Sequence, residues 1–565
     1  MRSSSLVAVL LLAACAVQIP QLQRRVNPSL DPAQACAVLN TPVEAQSIGL
    51  PTQGAKIESA QLVAASSVAV NPKPPFGPPP PEVAVNPATP EYCKVVGSIT
   101  PVDPNAPPIR FQVNLPTLWN GSAVQYGGGG FNGVLINAVG LIPSARPDLP
   151  SPLLRGYVTY GTDSGHQNAP GVALQAFAMN DEALTNFAYA SYKKVRDVAV
   201  ELMNRRYGAP PRHVYFVGSS EGGREGLTVA QRFPNDYDGV FSRVPVINWV
   251  GLQAAGTRVG VTEMQGGWLP PAKVKLVNDA VLAACDARDG IADGIVSDYA
   301  GCRSFFDAAK LRCPGDDAPT CLTEAQVRTV KTIHAPYTFP FALANGVRSY
   351  PGWAVGGGEA AQGTGPVGGW PTWQTGGAPP TLPPGPSSSR AWLYGSGAVQ
   401  YFFARDPNFD PRKFDPAQHA DRLREVSAMM DSTSPDLAAF AAHGGKLIIS
   451  EHTADYAQSP NAGIQYYQSV VGRLGQPAVD QFMRLYVTPG ADHMGQGAPS
   501  NVDMLSVLAD WVERGKAPED LVQYTQQLEP PFPVTMSRPM CRYPTFPRYN
   551  GSGDTRQAES FQCSR

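Results

Sequence analysis

Charge is scarce in this sequence. Asp, Glu, Lys and Arg make up 16% of its 565 residues, below the usual level of about a quarter. The net charge of −2 leaves no basic excess, so an electrostatic nucleic-acid binder is excluded as a first reading. Long apolar runs are missing too. None reaches the ~18 residues of a membrane span. Histidine is rare, at seven residues. No Cys-x-x-Cys pair occurs and no cysteine adjoins a histidine, so a zinc site or a thiol nucleophile has little to rest on. What remains is a loop-rich globular chain. It is 43% apolar and 9% aromatic, with 57 prolines and 55 glycines.

The first residues read as an address. Met1-Arg2 precedes a short apolar run, Leu6 to Ala14, and Leu12-Ala13-Ala14-Cys15 has the form of a bacterial lipobox. Residues 1–15 are therefore a secretory signal with a lipid anchor at Cys15, or an ordinary signal cut further on. Either reading places the chain outside the cytoplasm, as an outer-membrane lipoprotein, a periplasmic protein or a secreted one. Cysteine usage agrees. Leaving out Cys15, an even set remains, which in an exported chain points to a disulfide framework. The connectivity is open. Pairing neighbours is the simplest choice: Cys36–Cys93, Cys285–Cys302, Cys313–Cys321 and Cys541–Cys563.

Residues 16–90 are proline-rich, with Pro78-Pro79-Pro80-Pro81, and predict an exposed polyproline-like arm. From about 91 to 246, short β-rich runs end in glycine turns and alternate with helical stretches such as Asp181 to Tyr207. That alternation argues for a parallel α/β sheet. Phe111 to Leu115 alternates like a half-buried strand. Residues 247–433 differ, with a Gly/Pro/Trp-rich stretch from Gly352 to Pro386 that suits a lid. Strand signals return at Lys446–Ser450 and Met483–Val487. One sheet domain, 91–246 and 434–565, is thus split by an inserted lid.

Gly218-Ser219-Ser220-Glu221-Gly222 is a G-x-S-x-G between a strand signal and a helix signal. In that context it reads as a nucleophile elbow with Ser220 as the exposed hydroxyl. Ser219 is the next-best nucleophile. A serine needs a base and a group to orient that base. His493 follows the last strand signal and Asp455 follows the strand ending at Ser450. The order Ser220, Asp455, His493 matches α/β-hydrolases and not chymotrypsin or subtilisin. Asp492 and His452 are the competitors. Gly127–Gly130 follows an early strand, where the amides of Gly130 and Glu221 can form an oxyanion hole. The side chains of Glu221, Arg224 and Glu225 are assigned to local structure, and Asp163 and His166 to a hydrogen-bonded turn. Asp286, Asp289 and Asp293 fall within one glycine-containing loop between Cys285 and Cys302. Hard oxygen donors at that density suit structural Ca²⁺. The spacing is not that of an EF-hand.

The segment Gly218 to Asp238, GSSEGGREGLTVAQRFPNDYD, resembles the tannase/feruloyl esterase family, most closely its branch that hydrolyses mono(2-hydroxyethyl) terephthalate. The Cys285–Cys302 loop, WVERG at 511–515 and RYNGSGD at 548–554 extend the likeness over the mature chain. The resemblance implies an α/β-hydrolase fold with a large inserted lid and hydrolysis of aromatic carboxylate esters. It implies catalysis by Ser220, Asp455 and His493, and calcium held by Asp286, Asp289 and Asp293 with the carbonyls of Ile291 and Ile295. One departure stands out. The family places bridged cysteines beside the nucleophile and the histidine, whereas this chain has Ser219 and Met494. Trp370 and Trp373 in the lid are candidates to stack on an aromatic acyl group. Between Arg348 and Arg390 there is no Arg or Lys, so a bidentate partner for a free substrate carboxylate is missing, and neutral or phenolic esters become favoured. The expected partner is a small aromatic ester, taken up by a monomer. The competing reading is a non-catalytic polyphenol- or carbohydrate-binding surface lipoprotein.

Overall fold

The computed structural model describes residues 24–25, 31–67, 69–71, 84–356, 358–359 and 369–565. The signal and Cys15 lie outside the described residues, as does much of the 16–90 segment. Nine strands form the main sheet. In chain order they are β1 (Ala55–Val63), β2 (Tyr92–Ile99), β3 (Ile109–Pro116), β4 (Ser122–Tyr126) and β5 (Val158–Thr162). There follow β6 (His213–Ser219), β7 (Gly239–Arg243), β8 (Lys446–His452) and β9 (Met483–Thr488). Their order across the sheet is β9-β8-β7-β6-β4-β5-β3-β2-β1.

From β9 to β5 every pairing is parallel. The sheet is not parallel throughout, however. β3, β2 and β1 pair antiparallel and extend it on the β5 side. The same strands correct the proline-rich arm. Residues 31–63 are built into the domain: Cys36 is buried and bridged to Cys93, and β1 is the edge strand. The alternation Ala55-Lys56-Ile57, buried-exposed-buried, is the local signal that the flanking prolines overshadowed. β3 is likewise buried on both faces from Phe111 onward. Its polar residues Gln112 and Asn114 satisfy themselves inward, on the Asn137 carbonyl and the Thr159 hydroxyl.

The central strands alternate between two layers. Val214 and Phe216 of β6 pack with Leu227 and Val470 on one face, while Tyr215 and Val217 pack with Leu505, Leu508 and Trp511 on the other. Helices therefore cover both faces, as a buried parallel sheet requires. The chain leaves the sheet after Arg243 and re-enters at Lys446, yet β7 and β8 are paired neighbours. The intervening residues build a cap with its own packed clusters, around Val259, Val277, Val330 and Trp370 and around Trp249, Phe402 and Met430. All four expected disulfides are present, which fits an oxidising compartment outside the cytoplasm. Among the described residues, no helix is long and apolar enough to cross a membrane.

Candidate active site

Parallel strands point their C-terminal ends the same way. Gly127 after β4, Ser220 after β6, Arg243 at the end of β7, Asp455 after β8 and His493 after β9 therefore gather on one edge. This is where open α/β sheets hold their ligands.

Ser220 sits at φ 61°, ψ −121°, between β6 and the helix Glu221–Arg232. A non-glycine residue there stores about 1–3 kcal/mol. The turn is held by its own backbone. The Ser220 amide donates to the Arg243 carbonyl at 3.0 Å, and the Ser220 carbonyl accepts from Arg224 and Val246. Both flanking glycines are steric requirements. A Cβ at position 218 would lie 2.1 Å from the Gly222 carbonyl oxygen, and one at 222 would lie 2.6 Å from that of Gly128.

His493 donates from Nδ1 to Asp455 Oδ2 at 2.7 Å. Asp455 is itself oriented by the amides of Ala457 and Gln458 and by the Gln458 side chain. With Nδ1–H turned to the carboxylate, Nε2 is the free acceptor. Of the competitors, Asp492 accepts from the amides of Met494 and Gln496 and so shapes the loop. His452 bonds the Asp492 carbonyl through Nδ1 at 2.7 Å, and burial drives its pKa well below the ordinary value.

Ser220, Glu221, Gly129, Gly130, Trp373, Tyr394, His493 and Met494 line one cavity of about 580 Å³, a volume suited to a small organic ligand. Trp373 reaches it, with its ring centroid 5.9 Å from that of His493. Trp370 does not. It is buried in the cap core, tilted against the His334 ring at 5.3 Å. The glycine loop is fixed from beneath. Glu225 accepts from the Gly128 amide at 2.9 Å and from Asn132 Nδ2 at 2.6 Å, and Asn132 in turn accepts from the Gly129 amide. The Glu221 side chain turns away to Arg224 at 2.6 Å. Burial still lifts its carboxyl to about 7.

Arg243 and Asn132 were not singled out in the sequence. The one available signal for Arg243 is a cation closing the buried run Gly239–Arg243. Its guanidinium donates to Ser219 Oγ at 2.7 Å and to the His493 carbonyl at 2.9 Å.

The acidic loop uses its carboxylates on its own backbone. Asp286 accepts from Asp293 and Gly294, and Asp289 accepts from Ile291 and Ser297. Asp293 pairs with Arg538 at 2.6 Å. Among the described residues no three His, Cys, Asp or Glu side chains converge as a metal cluster. Burial nevertheless pushes Asp289 up to about 6, the electrostatic state that a hard cation relieves. Asp163 caps its turn by accepting from Arg110, Gly165 and Gln167, and His166 stacks on Phe177 at 3.7 Å.

The family model for tannase and feruloyl esterase matches residues 93–564. An uncharacterized esterase of Agrobacterium fabrum is 38% identical over 542 residues, covering 94% of this chain and 92% of that protein. Mono(2-hydroxyethyl) terephthalate hydrolase of Piscinibacter sakaiensis is 33% identical over 533 residues, 86% of each chain. A solved esterase from Aspergillus oryzae superposes with a TM-score of 0.75 at 23% identity, covering 94% of this chain and 100% of that one. That likeness establishes the α/β-hydrolase fold. The chain belongs to the tannase and feruloyl esterase family and is a carboxylic ester hydrolase.

Proposed function

We propose that the chain is an exported serine esterase for neutral aromatic carboxylic esters, working through an acyl-enzyme on Ser220. The observation that carries this reading is a strained Ser220 lining the same cavity as a His493 whose Nδ1 is engaged by Asp455 at 2.7 Å. As Ser220 Oγ attacks the ester carbonyl, its proton passes to His493 Nε2. Asp455 steadies the imidazolium without taking the proton. The carbonyl oxygen gains negative charge and accepts from the amides of Gly130 and Glu221, the latter at the positive end of its helix. On collapse the C–O bond to the alcohol breaks, and His493 returns the proton to the leaving oxygen. Water, deprotonated by the same imidazole, then releases the acid and restores the Ser220 hydroxyl.

Substrate class follows from the walls. Trp373 and Tyr394 offer ring faces and edges to an aromatic acyl group. Among the described residues lining the cavity, Arg243 is the one guanidinium, and both its terminal nitrogens are engaged. A free carboxylate on the substrate therefore finds no bidentate partner there, which favours ferulate- or gallate-type esters over a terephthalate monoester. Structural Ca²⁺ would be held by Asp286, Asp289 and Asp293 with the Ile291 and Ile295 carbonyls, bracing a loop whose Ile295 packs on Ala491 of the histidine loop. Cys15 supports lipid attachment after export, and the chain is read as a monomer.

A fluorophosphonate probe tests the core of this reading. Labelling of the wild type that disappears in Ser220→Ala is expected, and an unlabelled wild type refutes it. Rates on methyl ferulate, methyl gallate and mono(2-hydroxyethyl) terephthalate test the substrate class. A preference for the terephthalate monoester would overturn the claim of a neutral substrate.

A further inference from the structure

The two reacting side chains stand on separate turns, and no covalent link joins those turns in this chain. Neither turn carries a cysteine: Ser219 precedes the nucleophile, and Met494, 65% exposed, follows the histidine. Arg243 occupies the space between. Its backbone is in register with Ser219 on one side and Ser450 on the other. Its carbonyl accepts the Ser220 amide at 3.0 Å, so the residue is anchored to the elbow. Nη1 donates to Ser219 Oγ at 2.7 Å, and Nη2 donates to the carbonyl of His493 at 2.9 Å. The next carbonyl back, that of Asp492, is held by His452 at 2.7 Å. Two successive carbonyls of the histidine loop are thus clamped from the β7–β8 side. Gly495 leaves room for the guanidinium, since a Cβ there would lie 3.0 Å from Nη2.

We infer that Arg243 is a positioning residue, a non-covalent tether that holds the Ser220 turn and the His493 loop in register. Arg243 is 5% exposed. Asp455, Asp492 and Tyr456 are the acidic groups around it, and burial lowers its pKa only to about 10, so it remains a cation at neutral pH. A planar fork with several donors is suited to joining two acceptors on different turns, and a lysine ammonium is not its equal. The inference rests on the proposal that Ser220 and His493 react together.

The test compares Arg243→Ala, Arg243→Lys and Ser219→Ala in the full chain, with p-nitrophenyl acetate as a generic ester. Loss of a buried charge-assisted tether is expected to lower kcat in Arg243→Ala by about 10- to 100-fold with KM little changed. Added guanidinium ion is expected to recover part of that loss. Arg243→Lys should fall between the two. Ser219→Ala removes one arm and should cost several-fold. Removing the cation beside His493, which also faces Asp455, Asp492, His452 and Tyr456, should move the acid limb of the rate profile to higher pH. A folded Arg243→Ala with kcat within twofold of wild type overturns the tether. If Arg243→Ala does not fold, an unchanged kcat in Ser219→Ala overturns it instead. A wild type inert to both p-nitrophenyl acetate and fluorophosphonate defeats the underlying serine-esterase reading, whereas an active wild type with indifferent variants defeats the tether alone.

Discussion

Glu225→Gln isolates the preorganisation of the glycine loop. Glu225 receives two donors, the Gly128 amide at 2.9 Å and Asn132 Nδ2 at 2.6 Å. Asn132 passes its own oxygen to the Gly129 amide. Every group in this chain points a hydrogen toward Glu225, and only a carboxylate presents two acceptor oxygens to receive them. A glutamine supplies one acceptor and one NH₂. If the NH₂ faces Gly128, two donors meet. If it faces Asn132, that amide must flip, and its NH₂ then meets the Gly129 amide. Either way one buried hydrogen bond is lost and a donor is left unpaired. For a charge-assisted bond this is about 2 kcal/mol. The loop bears the Gly130 amide, so if half or more of the cost appears in the transition state, kcat falls by roughly 5- to 30-fold. Steady-state kinetics on methyl ferulate give kcat and KM separately, and thermal unfolding checks the fold. A Glu225→Gln enzyme with wild-type kcat would show that the loop is not pinned by these bonds.

Two further outcomes concern the rest of the molecule. Chelation with EDTA should lower Tm and added Ca²⁺ should restore it, by about 2.7 kcal/mol at a hundredfold excess over Kd; Asp289→Asn should abolish the response, and a Tm indifferent to both treatments would remove the calcium proposal. Burial drives His166 and His334 down to about 4, whereas an unfolded histidine titrates near ~6.5. Below that value the unfolded chain takes up protons that the native chain refuses, so each residue loses stability as pH falls from about 6.5 to about 4, by up to about 3 kcal/mol. Burial raises carboxyls such as Asp431, to about 7, and these act in the opposite direction. The informative quantity is therefore the difference between wild type and His166→Phe, which keeps the stack on Phe177. That difference should shift in favour of the variant on acidification, and a difference independent of pH would refute the assignment.

What could be read along the chain was local. Gly218 and Gly222 around Ser220 announce a turn whose sterics are decided by near neighbours in sequence, and the structure places that turn where the motif implied. Consecutive cysteines pair in chain order, and three of the bridges close short loops, with separations of 17, 8 and 22 residues. The order Ser220, Asp455, His493 follows from which strand each residue trails, and parallel strands deliver all three to one edge.

Other features depended on contacts between distant segments. β1 looked like part of a proline-rich arm until pairing with β2 made it an edge strand. Trp370 and Trp373 are three residues apart with like side chains, and only the packing of the cap sends one into its core and the other to the cavity. Arg243 reaches the Ser219 hydroxyl 24 residues away and the His493 carbonyl 250 away. Sheet register sets those distances. Because register is a property of many paired backbones at once, no window of sequence around residue 243 contains it.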